Sequence, residues 1–337
     1  MIDTALFGQA NDLIHAARKI LVTTHVKPDG DAIGSLVGIC NVLTQQDKQV
    51  VPLFLSLVPQ WYKFLLDDAV PVLKHDLECS DLGNGDYADI DLIVLVDVNS
   101  LPQLSHFGDF LQKSEIPVLV IDHHATADHL GTIELVDPEA AATGLLVAEY
   151  IRFNQWPLSS RTAEALFVAT ATDTGWFQFS SANSRVYRDC ADLIDAGANP
   201  NEIYEKLFQD FTFAKFKLTM AMLDTLELFY DDQFAIQHLS PQDFERTGAT
   251  YEETENLINE CHRIGSIKAS VLLVELPDGR IRGSLRSKSD LDVSQIARKF
   301  GGGGHKKAAG TFVEGPMEKA RQTIIEEFGR YLPQGNK

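Results

Sequence analysis

With 337 residues, 45% hydrophobic and 23% charged, the chain is too long for one ordinary core and too apolar to be disordered, so two folded domains are expected. A formal charge of −19 argues against a protein that grips long nucleic acid through its phosphates, because that needs a basic surface. The longest apolar runs are strand-length, no secretory leader is recognisable, and Cys40, Cys79, Cys190 and Cys261 form no C-x-x-C pair, which reads as a cytoplasmic protein with reduced thiols and no membrane association.

In chain order, an amphipathic helix is expected at 6–17 and a strand at 20–24, leading into a polar loop at 25–31. A helix at 32–46 and a strand at 50–55 follow, then apolar runs at 92–96 and 118–121. Short buried runs alternating with helices indicate an α/β fold, a mainly parallel sheet with helices on both faces. Ligands of such sheets bind off the carboxyl ends of the strands. There, the runs at 20–24, 92–96 and 118–121 give way to His25, Asp97 and Asp122.

Beyond residue 140 the pattern turns helical, at 141–153, 161–172, 184–196, 202–208 and 213–229, the last reading as a connecting helix. A second, smaller α/β unit is expected after it. Its strands fall at 234–239, 269–276, 281–287 and 309–313, and its helices at 252–263, 293–300 and 317–331. The resulting division is a first domain at 1–195, a helical linker at 196–230 and a second domain at 231–337. From Gly265 to Val313 nine Lys/Arg face four Asp/Glu, a local +5 that leaves −24 on the rest. A small cationic pocket on an acidic body suits a small anionic substrate, and a solvated strand-and-helix face would give the same count.

Four polar clusters carry ligand-type side chains. His25, Asp29 and Asp31 lie within seven residues between a strand and a helix, and Pro28 and Gly30 impose a turn that aims the carboxylates apart. Imidazole with carboxylates suits manganese, iron or zinc, whereas a plain strand-to-helix turn with Asp31 as N-cap is the structural alternative. Asp97 follows a buried run and could simply cap a turn. Asp122, His123 and His124 end the next run, where alternation lets one imidazole face a metal and the other a substrate. Asp173 closes a helix, a position the helix dipole disfavours unless a cation lies opposite. Gly301 to Gly304 is followed by no G-K-[ST], so it is not a Walker loop. It exposes backbone N–H groups to a ligand, or caps the preceding helix, or both.

These motifs, in order and spacing, resemble the DHH phosphoesterases, and most closely their NrnA-type bacterial oligoribonucleases and pAp phosphatases. Gly283-Ser284-Leu285-Arg286-Ser287 and Gly301-Gly302-Gly303-Gly304-His305 resemble the DHH-associated C-terminal domain, so the likeness runs from about Leu6 to Tyr331. It implies an active site in a cleft between two domains and two manganese ions, with other divalent transition metals as alternatives. His25 and Asp29 would hold one ion, and Asp31, His123 and Asp173 the other, with Asp97 bridging. Asp122 would orient a ligating imidazole and His124 would meet the scissile phosphate. Arg286, Ser287, Gly303, Gly304 and His305 would bind substrate. Implied substrates are short oligoribonucleotides and linear dinucleotides such as pApA and pGpG, with pAp a further candidate and no long nucleic acid. The oligomeric state stays open, a homodimer included. The competing readings are a RecJ-type single-strand DNA exonuclease, a manganese inorganic pyrophosphatase and a catalytically dead nucleotide-sensing module.

Overall fold

The computed structural model describes residues 1–66, 69–304 and 306–332. Contacts divide the chain into two compact units, Met1–Asp210 and Phe211–Lys337, the division falling inside the segment read as a linker.

The first unit runs α1 (Thr4–Ala16), β1 (Lys19–Thr23), α2 (Gly30–Gln45), β2 (Gln49–Leu53), β3 (Leu92–Val96), α3 (His106–Leu111), β4 (Val118–Asp122), β5 (Ile133–Val136), α4 (Thr143–Phe153), α5 (Ser160–Asp173), α6 (Ser184–Asp195) and α7 (Pro200–Phe208). Its five strands are all parallel, in the order β2-β1-β3-β4-β5. Alternation along each buried strand sends Ile20, Val22, Val94, Val96 and Ile121 to a core shared with α1, α2, α4 and α5. Leu21, Ile93, Leu95 and Val120 face the other way, toward Phe107 and Leu111 of α3. Helices were expected on both faces, yet the second is covered by one six-residue helix and by short 3-10 turns. β5 escaped the sequence reading because it is a four-residue edge strand with Glu134 inside it.

The helical layer is close-packed through small residues. Gly30, Gly34 and Gly38 of α2 lie four apart on the face toward α5, where a Cβ would meet Thr172, Ala165 and Ala169, and Leu166. That near contact of backbones brings Asp31 of α2 beside the C-terminal end of α5. Asp29, rather than Asp31, is the N-cap of α2, its Oδ1 accepting from the N–H groups of Asp31 and Ala32 at 3.1 Å each.

The second unit comprises α8 (Phe213–Asp224), β6 (Glu227–Phe229), β7 (Phe234–Leu239), α9 (Pro241–Thr247), β8 (Ala269–Glu275), β9 (Ile281–Ser287), α10 (Val293–Arg298), β10 (Gly303–Gly304), β11 (Ala308–Val313) and α11 (Met317–Gly329). Its mixed sheet is ordered β10-β11-β9-β8-β7-β6, with only β7 and β8 parallel. One face packs on α10 and α11, the other on α8 and α9. Two expectations need correction here. The helix at 213–229 stops at Asp224, because the Thr225 hydroxyl donates to the Met222 carbonyl at 2.7 Å and accepts from the His238 N–H at 2.9 Å, turning the chain into β6. The helix at 252–263 is instead two 3-10 stretches separated at Asn256, whose φ of 65° breaks any continuous helix. Among the described residues no helix is long and apolar enough to cross a membrane.

Candidate metal centre

Three parallel strands of the first unit deliver the site. β1 ends two residues before His25, β3 ends at the residue before Asp97, and β4 ends in Asp122 with His123 and His124 directly after. The chain reverses its winding direction between β1 and β3, the place where an open sheet leaves a crevice at its carboxyl edge. Asp97 sits in that crevice with a φ of 58°, a left-handed conformation that costs a non-glycine residue on the order of 1 kcal/mol and that Asp tolerates better than most.

Two imidazoles are fixed in tautomer by the backbone. His25 Nδ1 donates to the carbonyl of Val26 at 2.9 Å and His123 Nδ1 to that of Ala140 at 3.2 Å. A carbonyl can only accept, so each Nδ1 carries a hydrogen and Nε2 is the nitrogen turned to the site. His25 Nε2 lies 3.4 Å from Asp97 Oδ2. His123 Nε2 lies 3.6 Å from Asp97 Oδ1, 3.7 Å from Asp31 Oδ2 and 3.5 Å from Asp173 Oδ2. Candidate ligand atoms of several residues therefore converge on one another. Ligand atoms of His25, Asp29 and Asp97 gather within 4.8 Å, as do those of Asp31, His123 and Asp173 and those of Asp97, His123 and His124. The two oxygens of Asp97 thus face different groups, Oδ2 toward His25 and Oδ1 toward His123.

The electrostatics agree with a site made for cations. Burial pushes the Asp31 and Asp97 carboxyls well above the usual range, and neighbouring carboxylates push further, Asp97 on Asp31 and Asp29 on Asp97. Burial also raises Asp173, against the pull of His123. Divalent ions among these groups would remove the repulsion, and the oxygen and nitrogen donor set, without cysteine, suits manganese or another divalent transition metal. His124 differs from the other two imidazoles. Its Nδ1 lies 2.8 Å from Asp122 Oδ1, and this hydrogen bond, ahead of the charges of Asp97 and Asp122, raises it to about 9. Asp122 is fully buried and its Oδ1 also accepts from the His123 N–H at 2.9 Å, so one carboxylate sets the loop that carries both histidines.

Sequence reasoning missed the groups that hold the carboxylates. Asp31 Oδ1 accepts from Ser35 Oγ at 3.0 Å and Gly144 N at 2.9 Å, and its Oδ2 accepts from Thr143 N at 2.6 Å. Thr143 Oγ1 donates to Asp97 Oδ1 at 3.0 Å. The available signal was the small-residue run Ala140-Ala141-Ala142-Thr143-Gly144 opening a helix, which lets a helix start press against a carboxylate.

The remaining candidates lie in the second unit. Arg286 stands on β9 opposite Ser270 of β8 and Ala308 of β11. Its Nη1 donates to the carbonyl of Leu285 at 3.1 Å, and burial lowers its guanidinium pKa against the opposing pull of Glu255. Ser287 lies on the opposite face, its hydroxyl donating to the Ser289 carbonyl at 3.0 Å. Gly303 and Gly304 form β10 against Gly310 and Ala309. Gly301, at a φ of 74°, closes α10, while a Cβ on Gly303 would meet open space. The glycine run thus caps a helix and leaves backbone exposed. His305 lies outside the described residues.

Residues 19–170 match the DHH family, N-terminal domain, and residues 231–333 the DHHA1 domain. The chain is 29% identical over 314 residues to the bifunctional oligoribonuclease and PAP phosphatase NrnA of Thermus thermophilus, covering 91% of this chain and 88% of that protein. It is 27% identical over 301 residues to the probable bifunctional oligoribonuclease and PAP phosphatase NrnA of Streptococcus mutans, covering 88% and 90%. The crystal structure of an exopolyphosphatase-related protein from Bacteroides fragilis superposes with a TM-score of 0.92 at 26% identity, over 99% of this chain and 98% of that one.

Proposed function

Because the chain belongs to the DHH family and carries a DHHA1 domain, we propose that it is a two-metal phosphoesterase that hydrolyses short oligoribonucleotides and linear dinucleotides to mononucleotides, and pAp to AMP. The carrying observation is the division of Asp97, one oxygen toward His25 and the other toward His123. On this reading His25 and Asp29 would hold one manganese ion and Asp31, His123 and Asp173 the other, with Asp97 serving both through its two oxygens. Bound there, two ions supply an activated water and stabilise the attacking and leaving oxygens of an in-line displacement. The chain's residues do the rest. The backbone carbonyls of Val26 and Ala140 orient the ligating imidazoles, with Nδ1 turned to the backbone and Nε2 to the site. The hydrogen bond to Asp122 favours the charged form of His124, which would meet a phosphate oxygen and supply a proton to the leaving oxygen. The four cysteines are free, as in a reducing cytoplasm.

Recognition falls to the second unit. Arg286 offers a planar fork to a terminal phosphate, and the open backbone at Gly303 lets a nucleotide approach. Arg286→Ala should raise KM for pApA by one to two decades, the equivalent of about 1.5–3 kcal/mol for a charge-assisted contact, and leave turnover of a small artificial phosphodiester nearly unchanged. Equal damage to both substrates would place Arg286 in the fold rather than in recognition.

The substrate reading is tested by kcat/KM against RNA length, from pAp and pApA through a five-nucleotide RNA to one of about twenty-four, with pyrophosphate alongside. A single cationic patch on a body of formal charge −19 holds a terminal phosphate and one or two bases, whereas longer strands need a continued basic groove. Efficiency should peak at two to five nucleotides and depend only modestly on salt. Efficiency rising with length would favour a processive exonuclease, and fast pyrophosphate turnover the pyrophosphatase.

A further inference from the structure

We infer that Thr143 is the positioning residue that sets the interval between the two ion sites. The inference rests on the metal reading above and goes beyond it, to a residue that is not itself a ligand. Thr143 is fully buried and makes two bonds in different directions. Its N–H donates to Asp31 Oδ2 at 2.6 Å, and its Oγ1 donates to Asp97 Oδ1 at 3.0 Å. Asp31 gathers with His123 and Asp173, while Asp97 gathers with His25 and Asp29 and turns its Oδ1 toward His123. One residue thus ties a carboxylate of one group to the carboxylate that reaches across from the other.

The hydrogen bonds also decide which lone pairs remain. Asp31 Oδ1 accepts from both Ser35 Oγ and Gly144 N, which uses its two acceptor directions. Oδ2 accepts from Thr143 N alone and keeps a lone pair on the side of His123 Nε2, 3.7 Å away. Asp31 is therefore held to one ligating oxygen. At Asp97 the Thr143 hydroxyl occupies one direction of Oδ1, leaving its other toward His123, while Oδ2 faces His25. A threonine hydroxyl has a single hydrogen, and here it goes to Asp97. The anchor is stiff, because Thr143 and Gly144 open α4 and Gly144 presses on Ala169 of α5, where an added Cβ would lie 2.4 Å from the Ala169 Cβ. Outer hydrogen bonds of this kind typically alter metal affinity by about 10–100-fold.

The test uses the full chain and manganese alone. Thr143→Val removes the hydroxyl at nearly constant volume and keeps the N–H, whereas Thr143→Ser keeps both. Manganese affinity is read by calorimetric titration, and the interval between ions by the spin-coupled electron paramagnetic resonance signal of a manganese pair. Wild-type protein should bind two ions with a coupled signal. Thr143→Val should weaken binding by about 10–100-fold and lose or alter the coupling, and Thr143→Ser should stay within a few-fold of wild type. If valine unfolds the chain, Thr143→Ala removes the same hydroxyl with a smaller side chain and is read in the same way. Valine or alanine variants with wild-type affinity and an unchanged coupled signal would overturn the inference alone. A wild-type protein that binds no manganese would overturn the metal reading, and this inference with it.

Discussion

Asp97→Asn should lower kcat by about three decades, on the order of 4 kcal/mol of transition-state stabilisation, while the protein stays folded. Asparagine suits the test because it too tolerates the left-handed backbone that Asp97 adopts, so the substitution changes charge and ligation without adding strain. It can still accept a hydrogen bond from Thr143 through one oxygen. Its amide nitrogen has no lone pair to offer in the direction of His25. The paired site should be lost, and manganese titration should show at most one ion bound in the wild-type range.

Stability should move the other way without metal. Burial and nearby carboxylates disfavour the charged form of Asp97, so removing that carboxylate relieves repulsion among Asp29, Asp31 and Asp173. The metal-free variant should melt at or above the wild-type temperature, and manganese should raise that temperature less than in wild type. For wild type, each ion present at a hundred times its dissociation constant contributes about 2.7 kcal/mol. A variant that kept most of its activity with the same manganese dependence would sink the two-metal assignment.

Gly34→Ala should destabilise the first unit by about 3 kcal/mol, the upper part of the range for overpacking. The added Cβ would lie 2.3 Å from the Ala165 carbonyl oxygen and 2.9 Å from both the backbone nitrogen and the Cβ of Ala169. Neither backbone group can rotate away, so α2 and α5 must separate. With roughly 2–4 °C per kcal/mol for a unit of this size, the melting temperature should fall by about 6–12 °C. Gly8 on α1 is the internal control. Nothing lies within 4 Å of a Cβ there, and Gly8→Ala should stabilise by about 0.5–1 kcal/mol through helix propensity. The Gly34 variant should also bind manganese more weakly, since α2 carries Asp31 and α5 carries Asp173. Equal melting temperatures for the two glycine variants would show that the helices have room to adjust.

Pattern and position made much of this protein legible in its sequence. Buried runs of period-free apolar residues fixed β1, β3 and β4 to within a residue, because a strand covered on both faces has no polar positions to blur it. Chemistry at the ends of those runs singled out His25, Asp97 and Asp122, since a parallel sheet presents its ligands at that edge. The helix dipole singled out Asp173. What the sequence could not decide depended on contacts between distant residues. The linker helix ends at Asp224 because Thr225 meets the N–H of His238, and β5 exists because β4 pairs with it. The cap of α2 fell to Asp29 because the Thr143 and Gly144 N–H groups, 112 and 113 residues further on, already hold the Asp31 carboxylate. Residue types and local spacing name the groups able to bind a cation. Only the packing of α2, α4 and α5 decides which oxygens keep a lone pair for it, because hydrogen bonds across a hundred residues leave no local pattern.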